Sequence, residues 1–278
     1  MFHPAARQLV SVVIRSIGRR SIDRALWSVD QQDHREIEIV VVNARAKEHP
    51  PLPTGLTRPI RLLQLGRDLN RPEAANVGLD HCQSEYIIFL DDDDYFEKNH
   101  IASLLTCLHA SPEYLVAYAG TRVLGEKDEA RGELNLPFNR LGLLQSNYIQ
   151  IGAAIFSAQL LALGCRFDEE LIMFQDWDFW IQASRWTAFA HTGTITSNWC
   201  AHSGKSGAGL GTNFNRETNE AYTKKVLDKW TSMSIRLMAQ YKYALERSRQ
   251  LLAAGRKNDA SKWIASAQSV VSGKISRD

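Results

Sequence analysis

Four consecutive aspartates, Asp91 to Asp94, follow directly on the apolar run Tyr86-Ile87-Ile88-Phe89-Leu90. An apolar run of this length reads as a buried strand, and adjacent carboxylates repel one another. The chain must therefore fold so that something neutralises the charge at the end of that strand. One solution is a bound cation. Asp91 and Asp93 form an Asp-x-Asp pair of hard oxygen ligands suited to Mg2+ or Mn2+, ions that also hold phosphates. The other is a solvated acidic turn capping the next helix. The run alone leaves both open.

The segments before the aspartates alternate between two periodicities. Leu9 to Ile14, Ile37 to Val42 and Ile60 to Leu65 read as strands, and Ile22 to Gln31 and Pro72 to Cys82 as helices, with Pro72 suited to a first-turn position. Such alternation predicts an α/β fold with a mostly parallel central sheet flanked by helices, and in such sheets ligands bind beyond the carboxyl ends of the strands. The aspartates lie at one of those ends.

Beyond Lys98 a helix is expected to about Ala110, a strand over Tyr114 to Ala119, a loop over Gly125 to Arg140 and a short apolar run over Ile151 to Phe156. The acidic aromatic segment Gln175-Asp176-Trp177-Asp178-Phe179-Trp180 then opens a helix continuing through Ile181 and Ser184. Near the end, Ile235, Met238, Tyr241, Leu245 and Leu252 have helical spacing, Gly255 is a stop signal, and Asn258-Asp259 precedes Trp263, Ile264, Ala267 and Val271. This predicts a C-terminal helical hairpin, and a division into residues 1–213 and a basic extension of residues 214–278.

Composition limits the function classes. With 278 residues and 44% hydrophobic content the chain can bury a sizeable core. Its apolar stretches are too short to span a bilayer, and Met1-Phe2-His3-Pro4 does not begin a secretory signal, so a cytoplasmic location is expected. Cys82, Cys107, Cys165 and Cys200 are dispersed, which indicates neither a zinc site nor a disulfide framework. The net charge of +2 hides an asymmetry: residues 224–278 carry twelve Lys or Arg against four Asp or Glu. A solvated helix face explains this, as does contact with an anionic surface such as the inner face of a membrane. Nucleic acid is not an expected partner.

Several segments together resemble one family, the family 2 glycosyltransferases of the GT-A fold. Ser11 to Arg19 is similar to that family's opening strand and nucleotide loop, and Glu38 to Asn43 to its second strand. Asn70 to Asn76 and Ser84 to Asp94 resemble the stretch that ends in the metal-binding Asp-x-Asp. Gly164 to Glu170, then Gln175 to Trp180, resemble the acceptor-side motif with its catalytic carboxylate. The resemblance covers roughly residues 9 to 210 and rests on the order and spacing of the motifs.

The resemblance implies an inverting, metal-dependent transfer of a sugar from a nucleotide diphosphate, such as a UDP-sugar, to a glycan or lipid-linked acceptor in cell-surface polysaccharide synthesis. It implies Mn2+ or Mg2+ held by Asp91, Asp93 and His202, with Asp176 as base. Donor binding would fall to Ser16, Gly18, Arg19, Asn43, Arg71, Asn76 and Asp92, the last through a ribose hydroxyl, and Asp94 would cap the following helix. Trp177 and Trp180 would offer the acceptor an aromatic platform, with Trp180 equally suited to the core, and Asp178 would orient the acceptor or pair with a nearby Arg. At the start of a helix, the dipole would favour an ionised, weakly basic Asp176. Gly204 to Gly211 reads as a loop closing over the donor, with Lys205 near the phosphates, or as a plain connection. The chain departs from the family in having Asn43 for an Asp at the base-contacting position, Ile17-Gly18 for an aromatic and Asn, Ala75 for an Arg, and Gln175 for an acidic residue. Two other functions fit parts of the pattern: a phosphohydrolase with an Asp-x-Asp nucleophile, and a binding module on a transferase-like fold.

Overall fold

The computed structural model describes residues 8–201 and 215–273. The strands are β1 (Val10–Ser16), β2 (Ile37–Asn43), β3 (Ile60–Gln64), β4 (Tyr86–Asp91), β5 (Tyr95–Phe96), β6 (Val116–Leu124), β7 (Ala130–Leu134), β8 (Ala154–Ser157) and β9 (Phe189–Cys200). The helices are α1 (Ile22–Asp30), α2 (Arg71–Asp80), α3 (His100–His109), α4 (Arg140–Leu143), α5 (Gln159–Ala162), α6 (Gln175–Ser184), α7 (Arg216–Ala253) and α8 (Lys257–Ser272).

All nine strands join one sheet in the order β3-β2-β1-β4-β8-β6-β9-β5, with β7 paired to β6. The first four are parallel, as the alternation predicts. Beyond them the sheet is mixed, because β8 runs antiparallel to both β4 and β6 while β6 and β9 are parallel. The chain winds outward from β1 through β2 and β3, then returns to place β4 on the other side of β1. This reversal opens a crevice at the carboxyl ends of β1 and β4, where Ser16 and the aspartates stand.

Successive side chains of a strand face opposite sides of a sheet, and β1 shows what this does for the core. Val13 belongs to the apolar layer that includes Phe89, Phe156, Phe179 and Trp180, whereas Val12 and Ile14 join the layer under α1 and α3. Helix α2 lies unusually close to the sheet: a methyl group on Gly78 would sit 2.3 Å from Cγ1 of Val13. The start of α2 is fixed by a reciprocal capping box. The Asn70 side chain accepts from the Glu73 amide at 2.9 Å, and the Glu73 carboxylate accepts from the Asn70 amide at 2.7 Å.

Three expectations need correction. The stretch Gly125 to Arg140 contains β7, an exposed strand whose polar sequence hides it. The long β9 was not anticipated, although Thr192, Thr194, Ile195 and Thr196 supply the β-branched residues that strands favour. Asp94 does not cap the next helix, whose N-cap is Asn99.

The C-terminal hairpin forms, but around a different seam. Ile235 and Leu252 are exposed, and the buried positions of α7 are Val226, Met233, Leu237, Ala244, Ser248 and Leu251. Their steps of seven, four, seven, four and three residues trace a coiled-coil-like stripe, which the more hydrophobic Ile235 obscures. Val226, Met233 and Leu237 belong to the same apolar layer as Trp180 and Phe179, so α7 packs on the body of the protein. Further on, Arg140 Nη2 of α4 donates to the carbonyl of Gly273 at 2.8 Å, tying the end of α8 back to that body.

The strongest polar anchor of α7 is Asp178 on α6, which is fully buried. It accepts from Trp230 Nε1 at 2.8 Å and Gln182 Nε2 at 2.7 Å, and pairs with Lys229 Nζ at 2.9 Å. Lys229 also pairs with Asp168 at 2.6 Å. Burial alone would lower the Lys229 pKa, but its bonds to Asp168 and Asp178 outweigh this and raise it. Lys229→Met should therefore cost about 2 kcal/mol of stability at neutral pH, less than a fully buried pair would lose because the ammonium keeps some water. Because the folded-state pKa is the raised one, this contribution is complete below the ordinary value of 10.5 and is lost as pH rises through the folded value. Thermal unfolding of wild type and variant should show a gap at pH 7 that narrows above about pH 10.5.

Candidate active site

The aspartate turn has a separate solution for each carboxylate. Asp91 ends β4 opposite Arg15, its register partner on β1. Arg15 Nε and Nη2 donate to Asp91 Oδ1 at 3.0 and 2.5 Å. Asp92 turns back to the loop after β1, accepting from the Ile17 amide at 2.9 Å and from Ser16 Oγ at 3.0 Å. Arg19 Nη1 reaches Asp92 Oδ1 at 3.3 Å and also pairs with Asp93. Asp94 is buried, and accepts from the Cys200 amide at 2.8 Å and from Gln150 Nε2 at 2.9 Å.

These environments push the acids apart. Burial works to raise Asp91, but Arg15, with Arg71 and Arg19, overrides it and holds the pKa below the usual carboxylate value. Burial raises Asp92 despite Arg19, and raises Asp94 far more, with Asp93 and Asp91 adding repulsion. One ligand oxygen each from Asp91, Asp93 and Asp94 lie within 4.8 Å of one another. Three hard oxygens so grouped fit a small divalent cation, with Arg15 and Arg19 as its competitors. Asp94 thus joins the expected pair, while His202 and Lys205 lie outside the described residues.

Two cavities meet at this turn and share Arg15, Arg71, Asp91 and Asp93. The larger, of about 330 Å³, runs along the carboxyl ends of β1 and β2 and is lined by Ile17, Arg19, Ala44, Arg45, Leu69, Asn70, Ala74, Asp92, Ile172 and Met173 as well. The smaller, of about 200 Å³, extends toward α6 and is lined by Asn147, Ile149, Gln150, Phe174, Gln175, Asp176 and Trp199 among others. The larger cavity has mainly apolar walls, the smaller one mixed polar and apolar walls, and charged groups stand at their seam. This suits a ligand with an apolar-faced ring, an anionic middle and a second, more polar ring.

Asp176 occupies the first turn of α6, in the smaller cavity. It accepts from Asn147 Nδ2 at 3.1 Å and from the Trp177 amide at 2.9 Å. Burial dominates its ionisation and raises the pKa, with nearby Asp91 adding to the rise, while the two donors and Arg15 oppose it. The helix dipole therefore does not decide the matter as expected, and Asp176 is a stronger base than an exposed aspartate. The residue before α6, Phe174, has φ of 59° in the left-handed region, a conformation costly for a side chain of this kind. Both Phe174 and Asp176 line the cavity.

Several expected contacts are corrected. Trp177 is buried, with Nε1 donating to the Leu143 carbonyl at 2.5 Å, so it cannot present a face to an acceptor. Trp180 does the same with Ile149 at 3.0 Å, and together the indoles hold the segment that carries Asn147 and Gln150. Asp178 faces Lys229 and Trp230, away from any acceptor, and its cationic partner is Lys rather than Arg. Asn43 spends its amide inside the chain: Nδ2 donates to the Lys47 carbonyl at 2.8 Å, and Oδ1 accepts from the Arg45 amide at 3.1 Å. It shapes the wall formed by Ala44 and Arg45 and makes no contact from inside the cavity.

Asn76 clamps α2 to the Phe167 backbone through both its amide atoms, at 2.9 and 3.0 Å. Ser16 is buried behind the loop, bonded to Asp92 and to His49 Nε2 at 2.8 Å. Gly18, with φ of 79°, donates to Ser16 Oγ, and a Cβ there would meet Pro50 at 2.9 Å. These residues build the loop, whereas Arg19, Arg71 and Asp92 do line the larger cavity. Sequence reasoning missed Arg15, Asn147 and Gln150. Arg15 lies within a strand of otherwise apolar or small residues, which was the available signal.

An uncharacterized glycosyltransferase of Haemophilus influenzae (strain ATCC 51907 / DSM 11121 / KW20 / Rd) is 23% identical over 111 residues, covering 40% of this chain and 38% of its own length. The aligned region is thus well under half of that relative. The crystal structure of S. aureus TarS 1-349 in complex with UDP-GlcNAc superposes with a TM-score of 0.57 at 15% identity, over 94% of this chain and 91% of that one. The longer S. aureus TarS structure gives 0.53 at 19% identity, over 69% of this chain but only 36% of that one. At these identities the structural matches establish a shared fold. The model of the glycosyl transferase family 2 matches residues 11–164, more than half of the 278 residues, and the chain belongs to that family.

Proposed function

We propose that the chain transfers a sugar from a nucleotide diphosphate donor to an acceptor hydroxyl with inversion at the anomeric carbon. The observation that carries this reading is the meeting of two cavities at Arg15, Arg71, Asp91 and Asp93, with Asp176 in the smaller one. The nucleoside would occupy the larger cavity and the diphosphate the seam, with the sugar and acceptor in the smaller. Because a similar fold binds UDP-GlcNAc, a UDP-sugar is the first donor to test.

In this reading Asp176 takes the proton of the acceptor hydroxyl as its oxygen attacks the anomeric carbon. The bond from that carbon to the phosphate oxygen breaks, and its electron pair leaves with the nucleoside diphosphate. A divalent cation, held by Asp91, Asp93 and Asp94, would supply Lewis acid stabilisation of that leaving group. Arg71 adds fixed positive charge at the seam, and Asn147 orients the base. A phosphohydrolase of the Asp-x-Asp kind would carry its nucleophile on the opening strand of the fold, whereas Asp91 ends the fourth strand in the chain. A binding module would bind a nucleotide sugar but neither transfer nor hydrolyse it in the wild type.

The acceptor in this proposal is a glycan or lipid-linked intermediate of cell-surface polysaccharide synthesis, met on the cytoplasmic side. No helix among the described residues is long and apolar enough to cross a membrane. The excess of twelve basic over four acidic side chains in residues 224–278 supports peripheral contact of the hairpin with anionic lipid.

Mn2+ or Mg2+ should tighten UDP binding by about tenfold or more, as calorimetry against a chelated control would show, and Asp93→Asn should abolish most of that gain. Equal affinity in all four combinations would remove the metal from the mechanism.

Asp176→Asn keeps size and one acceptor oxygen for the donors Asn147 and Trp177 but removes proton acceptance. Turnover should fall about a hundredfold or more, while UDP affinity and melting temperature stay near wild type. In the wild type, the acidic limb of the rate profile should have its midpoint above the ordinary Asp value of 3.8, since the raised pKa requires a higher pH to expose the base. Near-normal turnover in a folded variant would move the base elsewhere.

A further inference from the structure

Arg15 is almost fully buried, yet it is only partly used. Nε and Nη2 are spent on Asp91, and Nη1 has no hydrogen-bond partner. A buried donor left unpaired costs about 1–3 kcal/mol, more when it is charged, and an unpaired group of this kind calls for an explanation. Arg15 lies where the two cavities join, and it cannot withdraw, because it projects from the central strand β1 with the Phe89 ring 5.8 Å from its guanidinium.

A divalent cation and Arg15 compete for the same carboxylate. Both bonds end on Oδ1, so a cation on that oxygen strips the guanidinium of them in a site nearly closed to water. A cation on Oδ2 weakens them by drawing off the charge they rest on. A stranded buried cation is strongly unfavourable. An anion arriving with the metal at the same seam relieves this, and a planar guanidinium suits phosphate oxygens.

We propose that Arg15 is a binding residue for the leaving phosphate of the donor, held on Asp91 in the empty site and transferred to the diphosphate when a divalent cation claims that carboxylate. This rests on the nucleotide-diphosphate reading given above. Arg15 is then a placeholder for the metal before binding and a partner to it afterwards. Its removal has opposite effects on the two ligands, because it opposes the cation alone and favours the nucleotide.

The test uses the full chain with Mn2+, UDP and UMP as probes. Free Mn2+ is followed by electron paramagnetic resonance without nucleotide, and UDP and UMP binding by calorimetry at saturating Mn2+. Arg15→Met should bind Mn2+ alone more tightly by about threefold or more, since the competing charge is gone. It should bind UDP about tenfold or more weakly, while UMP, which lacks the leaving phosphate, changes by less than about threefold. Arg15→Lys keeps a counter-ion for Asp91 but loses the guanidinium fork, and should weaken UDP binding with little change in Mn2+ affinity. It decides the matter if the Met variant does not fold. UDP affinity unchanged in a folded variant overturns the assignment, as does equal weakening of UDP and UMP. Failure of the wild type to bind UDP at all would instead show that the nucleotide reading had failed first, and Arg15 with it.

Discussion

Carboxylates packed at one turn must each find positive charge or a hydrogen-bond donor, and the rest of this site follows from how that demand is met. Asp91 finds Arg15 across the β1–β4 ladder, and Asp92 finds an amide and a hydroxyl in the loop after β1. Asp93 finds Arg19, while Asp94 finds an amide at the end of β9 and the side chain of Gln150. Four neighbours in sequence thereby fasten separate parts of the molecule to one point. The charge that makes the turn a candidate ligand site is also what organises the walls of the site.

The second centre of organisation is α6. Its residues alternate in allegiance: Asp176 points to the cavity, Trp177 and Trp180 reach the segment carrying Asn147, and Asp178 takes hold of α7. A ten-residue helix can do this because successive side chains are set about a third of a turn apart. The C-terminal hairpin is consequently connected to the candidate base through two residues of one helix. The shared apolar layer makes the same connection through Val226, Met233 and Leu237.

Much of the first half was legible because its signals are local. Continuous apolar runs and a proline suited to the first turn of a helix do not depend on distant partners. The aspartates stood out because their repulsion is itself local. What escaped notice depends on contacts distant in sequence. Arg15 acquires meaning only when β4 is laid beside β1, and Asn147 only when the Trp177 indole draws its segment toward α6. Trp177 and Asp178 looked like acceptor contacts because an acidic aromatic motif suggests a surface, and a sequence does not show which side of a short helix will be covered by a helix some fifty residues later. The seam of α7 was misplaced for a related reason: Ile235 is more hydrophobic than Ala244 or Ser248, but the close approach of α8 selects small residues.

Gly78 sits on α2, about two turns of helix from Arg71. Because no methyl group intervenes between it and Val13, the helix axis rests nearer the sheet than any larger residue would permit. Arg71 is carried at the end of that same rigid rod. The depth to which its guanidinium enters the cleft is therefore calibrated at the other end of the helix, by an atom that is missing.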